Sequence, residues 1–259
     1  MPQISAAGHR LECAWIEGTR ADAALPAPGS PTLVFLHEGL GSIRQWRDFP
    51  QKVARATGCR ALVYDRYGYG NSEVLREARV GVEFMHDGAL NELPELLENL
   101  SIGNPVLIGH SDGASIALIH AGTYQVRGVA AMAPHVFVEG HGLKSIQSIN
   151  DTFETAGLAE RLGKYHRNAR KTFHLWADAW LDPEFKKWNI EEYLPRIKCP
   201  VLAIQGAEDE YGTMAQLDAI AAQVGGPCEL LKLPACGHSP HKDQPEKVLK
   251  ALVEFVRRC

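Results

Sequence analysis

Short β-branched, apolar runs alternate with helical patterns along most of this chain, and that rhythm limits its fold more than any other feature. The runs are TLVFLH (32–37), ALVYD (61–65), PVLIG (105–109), GVAAMA (128–133), PVLAIQ (200–205) and ELLKL (229–233). Near-continuous apolar strands of this kind belong to a mostly parallel sheet with helices on both faces. Between them Met85, Leu90, Leu93, Leu97 and Leu100 recur at helical spacing, Ile116, Ile119 and His120 follow Ser111, and Val248, Leu249, Leu252, Phe255 and Val256 form a last apolar stripe. Strand and helix in alternation predict an α/β fold with right-handed crossovers. The start, His9 to Ile16, reads as an antiparallel edge strand. With 259 residues, 45% of them apolar, the chain can bury a large core as one domain with an insertion.

The insertion is where the rhythm breaks. Residues 135–196 offer helical patterns such as SIQSINDTFETA, LAERLGKYH and ARKTFHLWADAWL, but no convincing strand. Sixty-odd residues is far beyond an ordinary connection of roughly 2–6 residues. The organisation predicted is therefore a core in two parts, 1–134 and 197–259, with a helical cap at 135–196 over one end of the sheet.

Charge and cysteine usage narrow the function classes. A net charge of −4 announces no broad basic face, so nucleic acid is not an expected partner. No run approaches the roughly 18 apolar residues of a membrane span, and the N-terminal residues show no signal-peptide pattern. The six cysteines (13, 59, 199, 228, 236 and 259) are scattered, with no Cys-x-x-Cys pair. They read as reduced thiols in a cytoplasmic protein, not as a zinc site or a disulfide framework.

Gly109-His110-Ser111-Asp112-Gly113 matches G-x-S-x-G. Alone the pattern is weak, and it also suits a serine that merely caps a helix. Here it follows an apolar strand and precedes a helical pattern, the setting a nucleophile elbow needs. A serine hydroxyl attacks only when a base takes its proton. Among eleven histidines His238 stands out, in Ala235-Cys236-Gly237-His238-Ser239-Pro240, just after the last strand; His241 is its rival. A loop there lies at the carboxyl end of the sheet, on the edge that carries Ser111. The base needs an orienting carboxylate. Glu208, Asp209 and Glu210 follow the strand PVLAI, and Asp209 is preferred. The oxyanion needs two backbone donors. The Asp112 amide is one; the other comes from His37-Glu38-Gly39-Leu40-Gly41-Ser42, with Gly39 preferred over Glu38.

On these residues the chain resembles the α/β-hydrolase-fold serine hydrolases over nearly its full length. LVFLHEGLGS resembles the family's oxyanion strand and loop, and Asp65-Arg66-Tyr67-Gly68-Tyr69-Gly70-Asn71-Ser72 its D-x-x-G-x-G-x-S loop. GHSDG resembles the elbow, and the order Ser, Asp, His is the family's own. The family usually has His-Gly where this chain has His37-Glu38. The Ser-Asp-Gly elbow, a tryptophan-rich cap and CPVLAIQG are distantly similar to valacyclovir hydrolase-like esterases, which act on α-amino esters. Relatives that place aspartate at the elbow, the haloalkane dehalogenases and epoxide hydrolases, are disfavoured by Ser111.

The function predicted is a serine hydrolase cleaving a small-molecule carboxylic ester through an acyl-enzyme on Ser111, His238 and Asp209, with no metal and no organic cofactor. Substrate contacts are expected from Glu38, Asp112 and His135, with His141 and one of Trp176, Trp180 and Trp188 as further candidates. Asp112 either caps its own helix or, as the esterase resemblance implies, receives a substrate ammonium. Rival readings are an acyl-CoA thioesterase, supported by Arg161, Lys164, Arg167, Arg170 and Lys171 in the cap; a hydrolase of carbon–carbon bonds in diketones; and a non-catalytic ligand receptor on the same fold.

Overall fold

The computed structural model describes residues 2–18 and 29–259. Eight strands form one sheet: β1 (Gln3–Ala6), β2 (His9–Ile16), β3 (Leu33–Leu36), β4 (Ala61–Tyr64), β5 (Val106–His110), β6 (Gly128–Met132), β7 (Val201–Gly206) and β8 (Cys228–Leu233). Their spatial order is β1-β2-β4-β3-β5-β6-β7-β8. Strands β3 to β8 are mutually parallel, and β2 runs antiparallel to β4, with Ala14 opposite Val63. The antiparallel reading of His9–Ile16 is right, but the strand is not the edge. A two-residue turn at Ala7-Gly8, both at positive φ, folds β1 back onto it, so β1 takes the edge. That strand was missed because QISA is short and half polar.

The helices are α1 (Phe49–Thr57), α2 (Phe84–Asp87), α3 (Leu93–Asn99), α4 (Asp112–Ala121), α5 (Gly140–Thr152), α6 (Leu158–Gly163), α7 (Ala169–Leu181), α8 (Ala215–Gln223), α9 (Pro240–Asp243) and α10 (Pro245–Arg258). A π-helical turn, Gly88–Glu92, joins α2 to α3 just before Pro94, whose missing N–H cannot continue an α-helical ladder. Strands β3 to β7 are buried on both faces, while β8, at the sheet edge, is largely exposed. On one side Val53, Val248, Leu252 and Phe255 of α1 and α10 pack against Phe35, Val63 and Ile108. On the other, Ile116 and Leu118 of the wholly buried α4 join Leu93, Phe173, Trp180 and Phe185 over Val34, Leu62 and Leu107. Apolar area removed from water on two faces at once, at roughly 25 cal/mol per Å², is what a run such as LVFL encodes.

Between β6 and β7 the chain is helical: α5, α6 and α7, then short 3-10 turns at Pro183–Lys187 and Glu191–Arg196. An isolated bridge, Phe137 with Asn189, ties its two ends together. Among the described residues no helix is long and apolar enough to cross a membrane. All six cysteines are free, three of them buried.

Candidate active site

Ser111 sits where β5 turns into α4, at φ 54° and ψ −122°. A non-glycine residue at positive φ is strained, and the surroundings must hold it there. Two glycines make the turn possible. A Cβ on Gly109 would lie 2.3 Å from the Gly113 carbonyl oxygen, and one on Gly113 2.1 Å from that of Leu36. The backbone passes that close to itself and to β3, so the serine is pushed out at the end of the sheet.

The Ser111 hydroxyl lies 2.9 Å from His238 Nε2. His238 Nδ1 lies 2.9 Å from both carboxylate oxygens of Asp209. Asp209 is buried, with its side chain fully enclosed. Its Oδ1 accepts from the Tyr211 and Gly212 amides at 2.8 and 3.2 Å, and its Oδ2 from Gln205 Nε2 at 2.7 Å. Burial alone pushes this carboxyl up. The bonds from His238 and the Tyr211 amide outweigh it and hold Asp209 below the usual carboxylate range. An ionised Asp209 can only accept, so Nδ1 of His238 carries the ring proton and Nε2 is free to accept from Ser111. The His238 carbonyl accepts from His110 Nε2 at 2.7 Å, and the Tyr211 ring packs 4.6 Å from the imidazole.

Of the residues singled out in the sequence, Ser111, His238 and Asp209 come together. His241 does not. It is buried against Trp46, Phe49 and His110, and burial followed by the neighbouring His110 keeps it well below the usual histidine range. Glu208 is exposed; Glu210 Oε2 accepts from the His238 amide at 3.3 Å.

The loop after β3 is oriented by its carbonyl side. The Glu38 carbonyl accepts from His37 Nδ1 at 2.8 Å, from Arg66 Nη2 at 2.9 Å and from the Gly41 amide at 3.0 Å. His37 Nε2 accepts from the Arg66 amide at 3.1 Å, and burial together with the Arg66 charge holds the ring neutral, well below the usual range. In a trans peptide the carbonyl and the next N–H point opposite ways. The Gly39 N–H therefore faces away from that cluster. Among the described residues, neither the Gly39 nor the Asp112 amide finds a protein acceptor. Glu38 turns its carboxylate to within 3.4 Å of both His110 Nδ1 and Lys242 Nζ. Burial pushes it up, but those partners hold it well below the usual range.

Asp112 does not cap α4. Its Oδ2 accepts from Trp176 Nε1 at 3.0 Å, and burial raises its pKa. A cavity of about 140 Å³ opens here, lined by Ser111, Gly39, His135, Ile146, Trp180 and Tyr211 among others. Burial, then the charge on His238, drives His135 down to about 3, so it stays neutral. His141 Nε2 donates to the Asp209 carbonyl at 3.2 Å instead of lining the cavity. Trp188 stacks on Phe185, away from it. In the basic segment, Arg170 pairs with Glu154, Lys171 Nζ donates to the Leu75 carbonyl at 2.6 Å, and Arg161 donates to that of Ala156 at 2.7 Å. Gln205, Tyr211 and Arg66 escaped the sequence reading as site residues. Gln205 and Arg66 lie inside motifs it quoted, so adjacency was the only signal.

The profile described as the alpha/beta hydrolase family matches residues 33–251. Over 260 aligned residues the chain is 25% identical to a 2-succinyl-6-hydroxy-2,4-cyclohexadiene-1-carboxylate synthase of Salmonella enteritidis, covering 89% of this chain and 95% of that one. A proline iminopeptidase of Lactobacillus delbrueckii is 30% identical over 100 residues, 39% of this chain and 34% of that protein. Among solved structures, the enol-lactonase from Burkholderia xenovorans superposes with a TM-score of 0.72 at 19% identity, over 99% of this chain and all of that one. An esterase from Exiguobacterium antarcticum gives 0.73 at 18%, with 98% of each chain covered.

Proposed function

The chain belongs to the alpha/beta hydrolase family, and from that premise we propose that it is a serine hydrolase of small-molecule carboxylic esters. The observation that carries the proposal is the 2.9 Å contact of His238 Nε2 with a Ser111 hydroxyl held at positive φ. Ser111, His238 and Asp209 then form one catalytic unit, and the Gly39 and Asp112 amides form the oxyanion hole.

The reaction runs in two halves. His238 Nε2 takes the Ser111 proton as the oxygen attacks the acyl carbonyl, and Asp209 steadies the imidazolium. The carbonyl oxygen becomes an anion within reach of the two free amides. As the tetrahedral intermediate collapses, His238 returns the proton to the departing alcohol oxygen, leaving an acyl-serine. Water repeats the sequence, with His238 again as base, and releases the acid. Residues 135–196 act as a cap, because α5 and α7 supply Ile146, Trp176 and Trp180 to the wall over Ser111.

The test is labelling by a fluorophosphonate probe together with turnover of p-nitrophenyl esters. Ester cleavage and labelling that both vanish in Ser111→Ala support the reading. Turnover of thioesters or diketones with no turnover of oxygen esters would replace it.

A further inference from the structure

Two cavities share one indole. The first, of about 140 Å³, holds Ser111. The second, of about 450 Å³, is lined by Leu75, Val80, Phe84 and Leu175 together with Arg66 and Glu92. Trp176 lines both. Sites for drug-sized ligands run to roughly 300–1,000 Å³, so the Ser111 cavity is undersized while its neighbour is not.

The indole is fixed from two sides. Its Nε1 donates to Asp112 Oδ2 at 3.0 Å, a hydrogen bond between two buried groups. It also lies flush against Gly39, where a Cβ would sit 2.3 Å from Nε1 and 2.7 Å from Cε2. Swinging it out would strand a buried carboxyl, which is costly. Trp176 is therefore a wall and not a door.

Its position also says which part of the substrate it meets. Gly39 and Asp112 carry the oxyanion amides, and the leaving-group oxygen must face His238, which returns its proton. The ring packs on the amide side, with Phe173 and Trp180 as its aromatic neighbours, and not on His238. The group it confronts is the acyl chain. Resting on the serine-hydrolase reading above, we propose that Trp176 is the specificity-determining residue, closing off the larger cavity so that the enzyme takes esters of short acyl chains.

The experiment is a kcat/KM series on p-nitrophenyl esters from acetate to octanoate, with wild type, Trp176→Ala, Trp176→Leu and Trp176→Phe. Wild type should favour acetate. Trp176→Ala should raise the octanoate-to-acetate ratio about tenfold or more, Trp176→Leu less, and Trp176→Phe, which keeps a ring in place, least. Trp176→Leu serves if the alanine variant does not melt cooperatively. A ratio that stays put in folded variants that still cleave acetate overturns the wall, as does a wild type that already prefers octanoate. A wild type that is neither labelled by fluorophosphonate nor active on any ester overturns the hydrolase reading itself, and the wall with it.

Discussion

The Ser111, His238 and Asp209 side chains and the polar side chains across Trp176 differ in how fully they are hydrogen-bonded. On the Ser111 side, every nitrogen and oxygen of the Ser111, His238 and Asp209 side chains has a hydrogen-bond partner within the chain. Across the indole, Arg66 Nε, Glu92 Oε1 and His9 Nδ1 are buried and have none among the described residues. Saturated polar groups hold one geometry, which a reaction needs; unsatisfied ones cost stability and fix nothing. On the proposed serine-hydrolase reading, the difference fits a small cavity arranged for chemistry beside a larger space, the two kept apart by one side chain.

The hardest way to break this contrast is to remove the nucleophile. Ser111→Ala should fold and melt like wild type yet lose roughly 10⁴-fold or more in kcat if the three residues act as the proposed unit. Retention of a tenth of the activity would move the chemistry elsewhere. Next comes Asp209→Asn, which frees His238 to take the wrong tautomer and should cost roughly 10³-fold. Glu208→Gln should cost almost nothing. Glu210→Gln should cost a little more, since it weakens the contact with the His238 amide. A Glu210 variant more crippled than Asp209→Asn would reassign the acid.

The same contrast decides what could be read from the sequence. The turn at Ser111 demands small residues at fixed offsets, and the parallel strands demand β-branched runs, so both leave local signatures. The order Ser111, Asp209, His238 follows from strands β5, β7 and β8 ending on one edge. The β1 edge strand was missed because four half-polar residues carry little pattern. The tie between Trp176 and Asp112 spans 64 positions and joins two elements that no local rule relates. Asp112 beside the nucleophile suggested a helix cap or a cation site; in the structure its Oδ2 accepts from an indole while the residue lines the Ser111 cavity. Wall residues arise from tertiary packing, and packing has no sequence period.

Gly39→Ala sharpens the comparison by pushing on the wall from the reaction side. The new methyl group would have to displace the indole or the oxyanion loop. Ester turnover should fall about 10- to 100-fold, as expected for an ångström-scale shift of a catalytic donor. The residual activity should drift toward longer acyl chains as the ring moves. Lower turnover with an unaltered chain-length profile would mean that the loop yields and the indole does not.

The smallest effect lies across the wall, at Glu92. Its Oε2 accepts from the Tyr67 amide at 3.0 Å while Oε1 has no partner among the described residues, and burial pushes its pKa up to about 7, against 4.5 for a free side chain. Between those two values the folded chain holds a proton that the unfolded chain has already released. The stability contributed by the neutral form is present below about pH 4.5 and lost as pH rises through 7. The shift corresponds to on the order of 3 kcal/mol at most. Glu92→Gln keeps an oxygen for Tyr67 and cannot ionise. Asp65, raised by burial to about 6, weakens the fold in the same direction but is present in both proteins, so the difference between them isolates Glu92. Melting curves at pH 5 and pH 8 should show wild type losing a few degrees more than Glu92→Gln over that interval, at roughly 2–4 °C per kcal/mol for a chain of this size. The offset at pH 5 is immaterial, because the slope carries the information. Parallel Tm–pH curves would mean that Glu92 is solvated or paired when ionised, and that its polar atoms are satisfied as fully as those of Ser111, His238 and Asp209.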